Sequence, residues 1–274
     1  MANLTVIEPA RGLGFPDLRE LWEHRDLTYF LVRRDLAIRY KQSVVGVLWA
    51  VLQPVLLALV FSVFLGVLAK VPSESGVDYP VFALSGLVMW IYFASAVSRA
   101  ADSTVASSDL ISKVYFPRVV IPVAAVLAPT VDFLFAFLVL IGALLVYGMP
   151  IQPEILLVPL LLPIALAIAL GAGLWLSALH VKYRDVHILV PFLVQVGLFI
   201  TPVIYSFDLV PDNLKPLYAI NPLVGLLETF RWMLFPNLGF PGAIMLIPLA
   251  AGILLLVTGA LYFRRSEQSF ADVI

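Results

Sequence analysis

Cysteine is absent from all 274 residues, which excludes a disulfide framework, a thiolate metal centre and a cysteine nucleophile. Charge is scarce, at 13% of the chain, and the formal net charge of −1 identifies no partner by itself; no nucleic-acid partner is expected. No lysine is followed by serine or threonine. A phosphate-cradling loop of the G-x-x-x-x-G-K-[ST] kind needs that dipeptide, so the chain is not its own P-loop ATPase, and any ATP-driven work needs a partner subunit. The opening residues MANLTVIEPARGLGF lack a basic stretch followed by an apolar core, so no cleavable signal peptide is expected and the N-terminus is expected to stay in the cytoplasm.

What the chain has is apolar sequence, 62% hydrophobic at a mean hydropathy of +1.01, the signature of a polytopic membrane protein. Its organising stretch is Arg33 to Pro54, RRDLAIRYKQSVVGVLWAVLQP. Upstream, Leu18, Leu21, Trp22, Tyr29, Val32, Leu36 and Tyr40 recur at helical spacing among many charges, which suits a helix lying in the headgroup plane. Downstream, Val44 to Ala69 carries no charge, longer than the roughly 20 residues that cross a ~30 Å hydrocarbon core.

Six spans are expected, at Val44 to Ala69, Val81 to Val97, Val119 to Tyr147, Ile155 to Leu179, Ile188 to Ile204 and Ile244 to Phe263. The fifth is short and carries Pro191 and Pro202. Fourteen of the 17 basic residues fall on one side of this arrangement, so the positive-inside rule places both termini in the cytoplasm. The fold class is an all-α membrane protein: a cytoplasmic segment over residues 1–42, a six-span domain over 43–263 and a cytoplasmic tail over 264–274.

Two connecting segments stand out. Tyr205 to Pro236 is half apolar yet broken by prolines, too interrupted to span, and a pair of short re-entrant helices in the outer leaflet suits it. Asn221 and Pro222 would form the turn between them, with Pro222 in the first turn of the second helix. Glu228 and Arg231, three apart, would pair on one face. In Arg99 to Pro117, Ser107, Ser108 and Asp109 can cap a short cytoplasmic helix with Leu110, Ile111 and Val114 at helical spacing.

Four stretches, RDLAIRYKQSVVGVLWAVLQP, DLISKVYFPRVVIPVAAVLAPTVDF, HVKYRDVHILVPFLVQVGLFITPVIY and DLVPDNLKPLYAINPLVGLLETFR, together resemble the membrane subunits of ATP-binding-cassette exporters, in the branch that exports polysaccharides such as O-antigen, capsule and teichoic acid. The resemblance runs from about Asp26 onward, in order and without a large departure. It implies a permease of the bacterial inner membrane that pairs with a second copy of itself and with two ATPase subunits, which would hold ATP and Mg, and that moves a lipid-linked polysaccharide. It also implies an interface helix at about Phe15 to Gln42, near the gate through which substrate enters, with Arg33, Arg34, Arg39 and Lys41 facing lipid and sugar phosphates. A coupling helix at about Thr104 to Tyr115 follows, with Ser108, Asp109, Leu110, Ile111, Lys113 and Tyr115 expected to meet the ATPase. The re-entrant segment becomes the outer gate.

Two other classes stay in view. A membrane-embedded enzyme on lipid-linked sugars would use His180, Asp185 and His187 of HVKYRDVH, but their spacing matches no common metalloenzyme motif and neither metal nor catalytic residue is assigned there. A secondary transporter would need ionisable residues at mid-membrane, and only Asp132 qualifies. Aromatic faces can pack against sugar rings, so Trp90, Tyr92, Phe93, Phe133, Phe137, Trp175, Phe199 and Tyr205 are candidate channel-lining residues, although aromatics also fill helix interfaces and interfacial belts.

Overall fold

The computed structural model describes residues 18–41, 46–73, 76–236, 238–242 and 246–273. The expected starts of the interface helix, the first span and the last span, at Phe15, Val44 and Ile244, lie outside the described residues, as do Gln42 and the segment before Phe15. Twelve α-helices and no strand are found among the described residues. Two amphipathic helices come first, α1 (Leu18–Glu23) and α2 (Arg25–Tyr40). Helix α3 (Gly46–Phe61) loosens into a π-helical stretch, Ser62–Leu68. The long α4 (Tyr79–Ala106) is followed by the short α5 (Ser108–Lys113). Helices α6 (Val120–Leu127) and α7 (Pro129–Val146) are nearly continuous, broken where Pro129 lacks a backbone donor. Then come α8 (Val158–Lys182), α9 (Val186–Ile200), α10 (Lys215–Ala219), α11 (Pro222–Leu234) and α12 (Leu246–Val273).

Among the described residues, five segments are long and apolar enough to cross a bilayer: 48–68, 79–106, 120–146, 153–182 and 249–267. The expected fifth span is a shorter apolar helix, α9, of 15 residues, about 22 Å at ~1.5 Å per residue. It ends at Ile200 because Pro202 drives Thr201 into an extended conformation (φ −90°, ψ 138°). Elsewhere helices outrun their apolar stretches. The second was expected to stop at Val97, but RAADSTVA contains no helix breaker, and α4 carries Arg99 and Asp102 on to Ala106. Likewise α12 continues through the expected tail to Val273.

Helix α4 is the axis of the bundle. Phe82, Leu87, Ala96 and Ala100 on it are fully buried, and it packs against α3, α6, α7, α8 and α9. Helices α8 and α12 pack most extensively, because glycines bring their backbones together. A Cβ at Gly171 would lie 2.6 Å from the Leu256 nitrogen, and one at Gly259 would lie 2.4 Å from the Gly171 carbonyl oxygen. One end of the bundle gathers α2, α5, the start of α6 and the last turns of α8 and α12. There Ile111 and Phe116 are buried with Leu31 of α2, and Arg118 hydrogen-bonds Glu267 through backbone and side chain. The other end gathers the start of α4, the end of α9, and α10 and α11: the Tyr79 hydroxyl donates to the Ile204 carbonyl at 2.6 Å.

Candidate functional site

A cavity of about 550 Å³ opens between the end of α2 and helices α3, α4, α7 and α9, within the ~300–1,000 Å³ usual for ligand sites. Its polar side is made by Arg39, Tyr40, Gln53, Ser95, Ser98, Arg99 and Asp132, and its walls by Trp49, Trp90, Tyr92 and Phe133. Helix α2 reaches it because its apolar stripe docks on α6, which turns its last residues toward the first turn of α7. There Asp132 forms an ion pair with Arg39 and accepts a hydrogen bond from the Tyr40 hydroxyl. Asp132 is thus part of a clasp between α2 and α7, with a partner that answers its charge. Arg99 reaches back one turn to the Ser95 hydroxyl at 3.3 Å. Two guanidiniums against one carboxylate leave the cavity's polar side cationic, a setting for a phosphate or another anion.

The four basic residues expected to act as one surface are divided by the helix. Arg33 lies over Tyr29, 5.8 Å from its ring centre, Arg34 pairs with Asp35 at 3.1 Å, and both are exposed, as is Lys41. Only Arg39 turns inward. At α5, Ser107 occupies the N-cap position but makes no side-chain cap, so the expected capping is not formed. Ser108 is half-buried, and Asp109 and Lys113 are exposed and 3.9 Å apart. Thr104 belongs to α4 and bridges to Ser177 at 2.5 Å. Ile111 is buried beneath α2 and Leu110 packs beside it, so the exposed apolar surface here is Val105, Val114 and Tyr115.

Of the eight aromatics, Trp90, Tyr92 and Phe133 line the cavity. Phe93 packs on Trp90, and Phe137 stacks on Phe133 with centroids 5.9 Å apart. Trp175 stacks on Tyr262 at 4.2 Å and donates to Thr258, filling a helix interface. Phe199 is exposed, and Tyr205 donates to the Phe199 carbonyl at 2.8 Å.

At the opposite end, Asn221 caps α11 by accepting from the Leu223 N–H at 3.0 Å, with Pro222 at the first helical position. Its amide also donates to Thr201 at 2.9 Å. Glu228 and Arg231 pair at 3.4 Å, but Arg231 is fully buried. It donates to the carbonyls of Pro202 and Val203 at 2.8 and 2.7 Å and sits 3.9 Å above the Phe82 ring. Those carbonyls belong to the turn that follows the end of α9. Sequence reasoning missed this role, since nothing local links residues 202 and 231. It missed Tyr40, Arg99 and Gln53 for the same reason.

The sequence profile of a family described as ABC-2 type transporter matches residues 26–235. The chain is 30% identical over 250 residues to the O-antigen export system permease protein RfbA of Klebsiella pneumoniae, covering 91% of this chain and 95% of that protein. It is 30% identical over 260 residues to the protein of the same name from Myxococcus xanthus, covering 94% and 98%. The polysialic acid transport protein KpsM of Escherichia coli is 23% identical over 247 residues, covering 86% and 92%.

Proposed function

The chain belongs to the ABC-2 type transporter membrane family, and we propose that it is the transmembrane subunit of an ATP-driven exporter that moves a lipid-linked, O-antigen-like polysaccharide from the cytoplasm across the bacterial inner membrane. The observation that carries this reading is the cationic, aromatic-walled cavity beside α2. Arg39 and Arg99 suit the diphosphate of a lipid-linked sugar, and Trp49, Trp90 and Tyr92 offer faces for the sugar rings behind it.

Because no lysine is followed by serine or threonine, as a phosphate-cradling loop requires, two ATPase subunits holding ATP and Mg would complete the transporter together with a second copy of this chain. Helices α1 and α2 act as the interface helix, and α5 with its flanks as the coupling element. Val105, Val114 and Tyr115 present the apolar surface there. The count of six crossings is supported by α9, which runs from beside the α8 terminus to the far end, where Tyr79 holds the Ile204 carbonyl just beyond it. An even count would leave both termini on one side, the cytoplasmic one by the positive-inside rule, with α10 and α11 as the re-entrant outer gate.

The deciding experiment is reconstitution of the chain with its partner ATPase. Lipid-linked polysaccharide should stimulate ATP hydrolysis and reach the opposite side of the membrane. Lys41→Glu and Arg99→Gln should lower export more than they lower protein abundance. ATP hydrolysis indifferent to lipid-linked glycans would end the substrate assignment.

A further inference from the structure

At the end of the bundle that holds α2, three helices contribute imidazoles and a carboxylate to one point. The Asp102 Oδ1 of α4 lies 3.2 Å from His180 Nδ1 of α8 and 3.1 Å from His187 Nδ1 in the first turn of α9. The two rings stack with centroids 5.9 Å apart, and one ligand atom from each residue lies within 4.8 Å of the other two. The histidines come from HVKYRDVH, but the acid in that motif, Asp185, is exposed at the start of α9. Its place is taken by Asp102, 78 residues earlier in sequence than His180.

We propose that Asp102, His180 and His187 form a divalent transition-metal site of zinc type that pins the start of α9 to α4 and α8. Zinc bonds of about 2.0–2.2 Å place neighbouring donors of a tetrahedron about 3.3–3.4 Å apart, close to the two nitrogen–oxygen distances found. Two imidazoles and one carboxylate are a donor set that zinc accepts. The fourth position falls to water, because the Asp102 and His187 side chains are 45% and 67% exposed. Without metal, each ring can donate from Nδ1 to the shared oxygen, and His180 Nδ1 also lies 3.1 Å from the Ala101 carbonyl. Loading moves both ring protons to Nε2 and turns the two Nδ1 lone pairs toward the cation. The site is independent of what the chain transports.

The test uses the full chain in lipid nanodiscs, stripped with chelator and titrated with Zn²⁺ and, as a spectroscopic probe, Co²⁺. The expected result is about one metal per chain, with the visible absorption of four-coordinate Co²⁺, and a Zn²⁺-dependent rise in unfolding temperature. His187→Ala, an exposed position, and Asp102→Asn should each weaken binding at least tenfold, while the helical circular-dichroism signal and gel-filtration profile stay as in the parent. No stoichiometric binding by the parent chain, or unchanged binding by folded His187→Ala, overturns the proposal.

Discussion

Arg231 and Arg39 both bring a guanidinium into an apolar helical bundle, and their surroundings differ in kind. Arg231 is fully buried, and its donors meet the carbonyls of Pro202 and Val203, acceptors fixed in place by the break after α9. Arg39 keeps 23% of its side chain exposed and faces Asp132, itself 17% exposed, across an open cavity. A backbone acceptor cannot leave, so the first arrangement is a structural clamp. A carboxylate beside a cavity can be exchanged for a phosphate oxygen, so the second is suited to binding. The same residue type does opposite work according to whether its partner can be replaced.

The comparison breaks most readily at the clamp. Arg231→Met orphans two buried carbonyls at about 1–3 kcal/mol each, so a loss of about 2–6 kcal/mol in unfolding free energy is expected, with low abundance in the membrane. A loss under about 1 kcal/mol would show that the carbonyls find other donors. Gly86→Ala approaches the clamp from the α4 side: its Cβ would lie 2.0 Å from the Val203 oxygen, a backbone atom that the clamp holds still. Overpacking there should cost about 1–3 kcal/mol, read from the thermal midpoint in nanodiscs.

Asp132→Asn should cost less in stability, about 1 kcal/mol, because the pair is partly exposed and Tyr40 still has an acceptor. Its expected signature is a fall of tenfold or more in export at near-normal abundance, and equal losses of both would make the cavity clasp merely structural. The smallest effect belongs to Asp212→Asn. The hydrogen bond from Lys215, 2.8 Å away, holds the Asp212 carboxyl below its usual range. Its contribution is therefore present above the ordinary carboxylate pKa of about 3.9 and lost as pH falls through the lower folded value. The group is fully exposed, so the unfolding midpoints of parent and variant should agree from neutral pH down to mildly acidic pH, and a cysteine placed at Asp212 should react with impermeant thiol reagents.

Composition alone made the helical membrane class legible, since an uncharged run such as 44–69 admits few other readings. Local chemistry placed the start of α11, where Asn221 and Pro222 carry their own capping instructions. Helix ends elsewhere were misjudged because hydropathy marks where apolar surface stops, while the backbone continues until a proline or glycine interferes, as α4 and α12 show. The cavity and the clamp were hidden for another reason. Arg39 meets Asp132 across 93 positions, and Arg231 meets residues about 30 positions away, and spacing in one dimension cannot register such meetings. The basic cluster on α2 illustrates the cost: four charges close in sequence point in different directions once the helix docks.

The backbone contact between α8 and α12 has a mechanical consequence. Where glycines bring two helices together without an intervening layer of side chains, there is little compliant material to shear, and the pair moves as one stiff strut. Helix α4 is keyed to that strut, since a Cβ on Gly173 of α8 would lie 2.4 Å from the Ala100 Cβ. Widening the cavity then falls to its other walls. Of these, α3 is sparsely buried and ends in the wider turns of a π-helical stretch. Helices α4, α8 and α12 thereby form a closely keyed frame, and the sparsely buried α3 and α9 are the walls set against it.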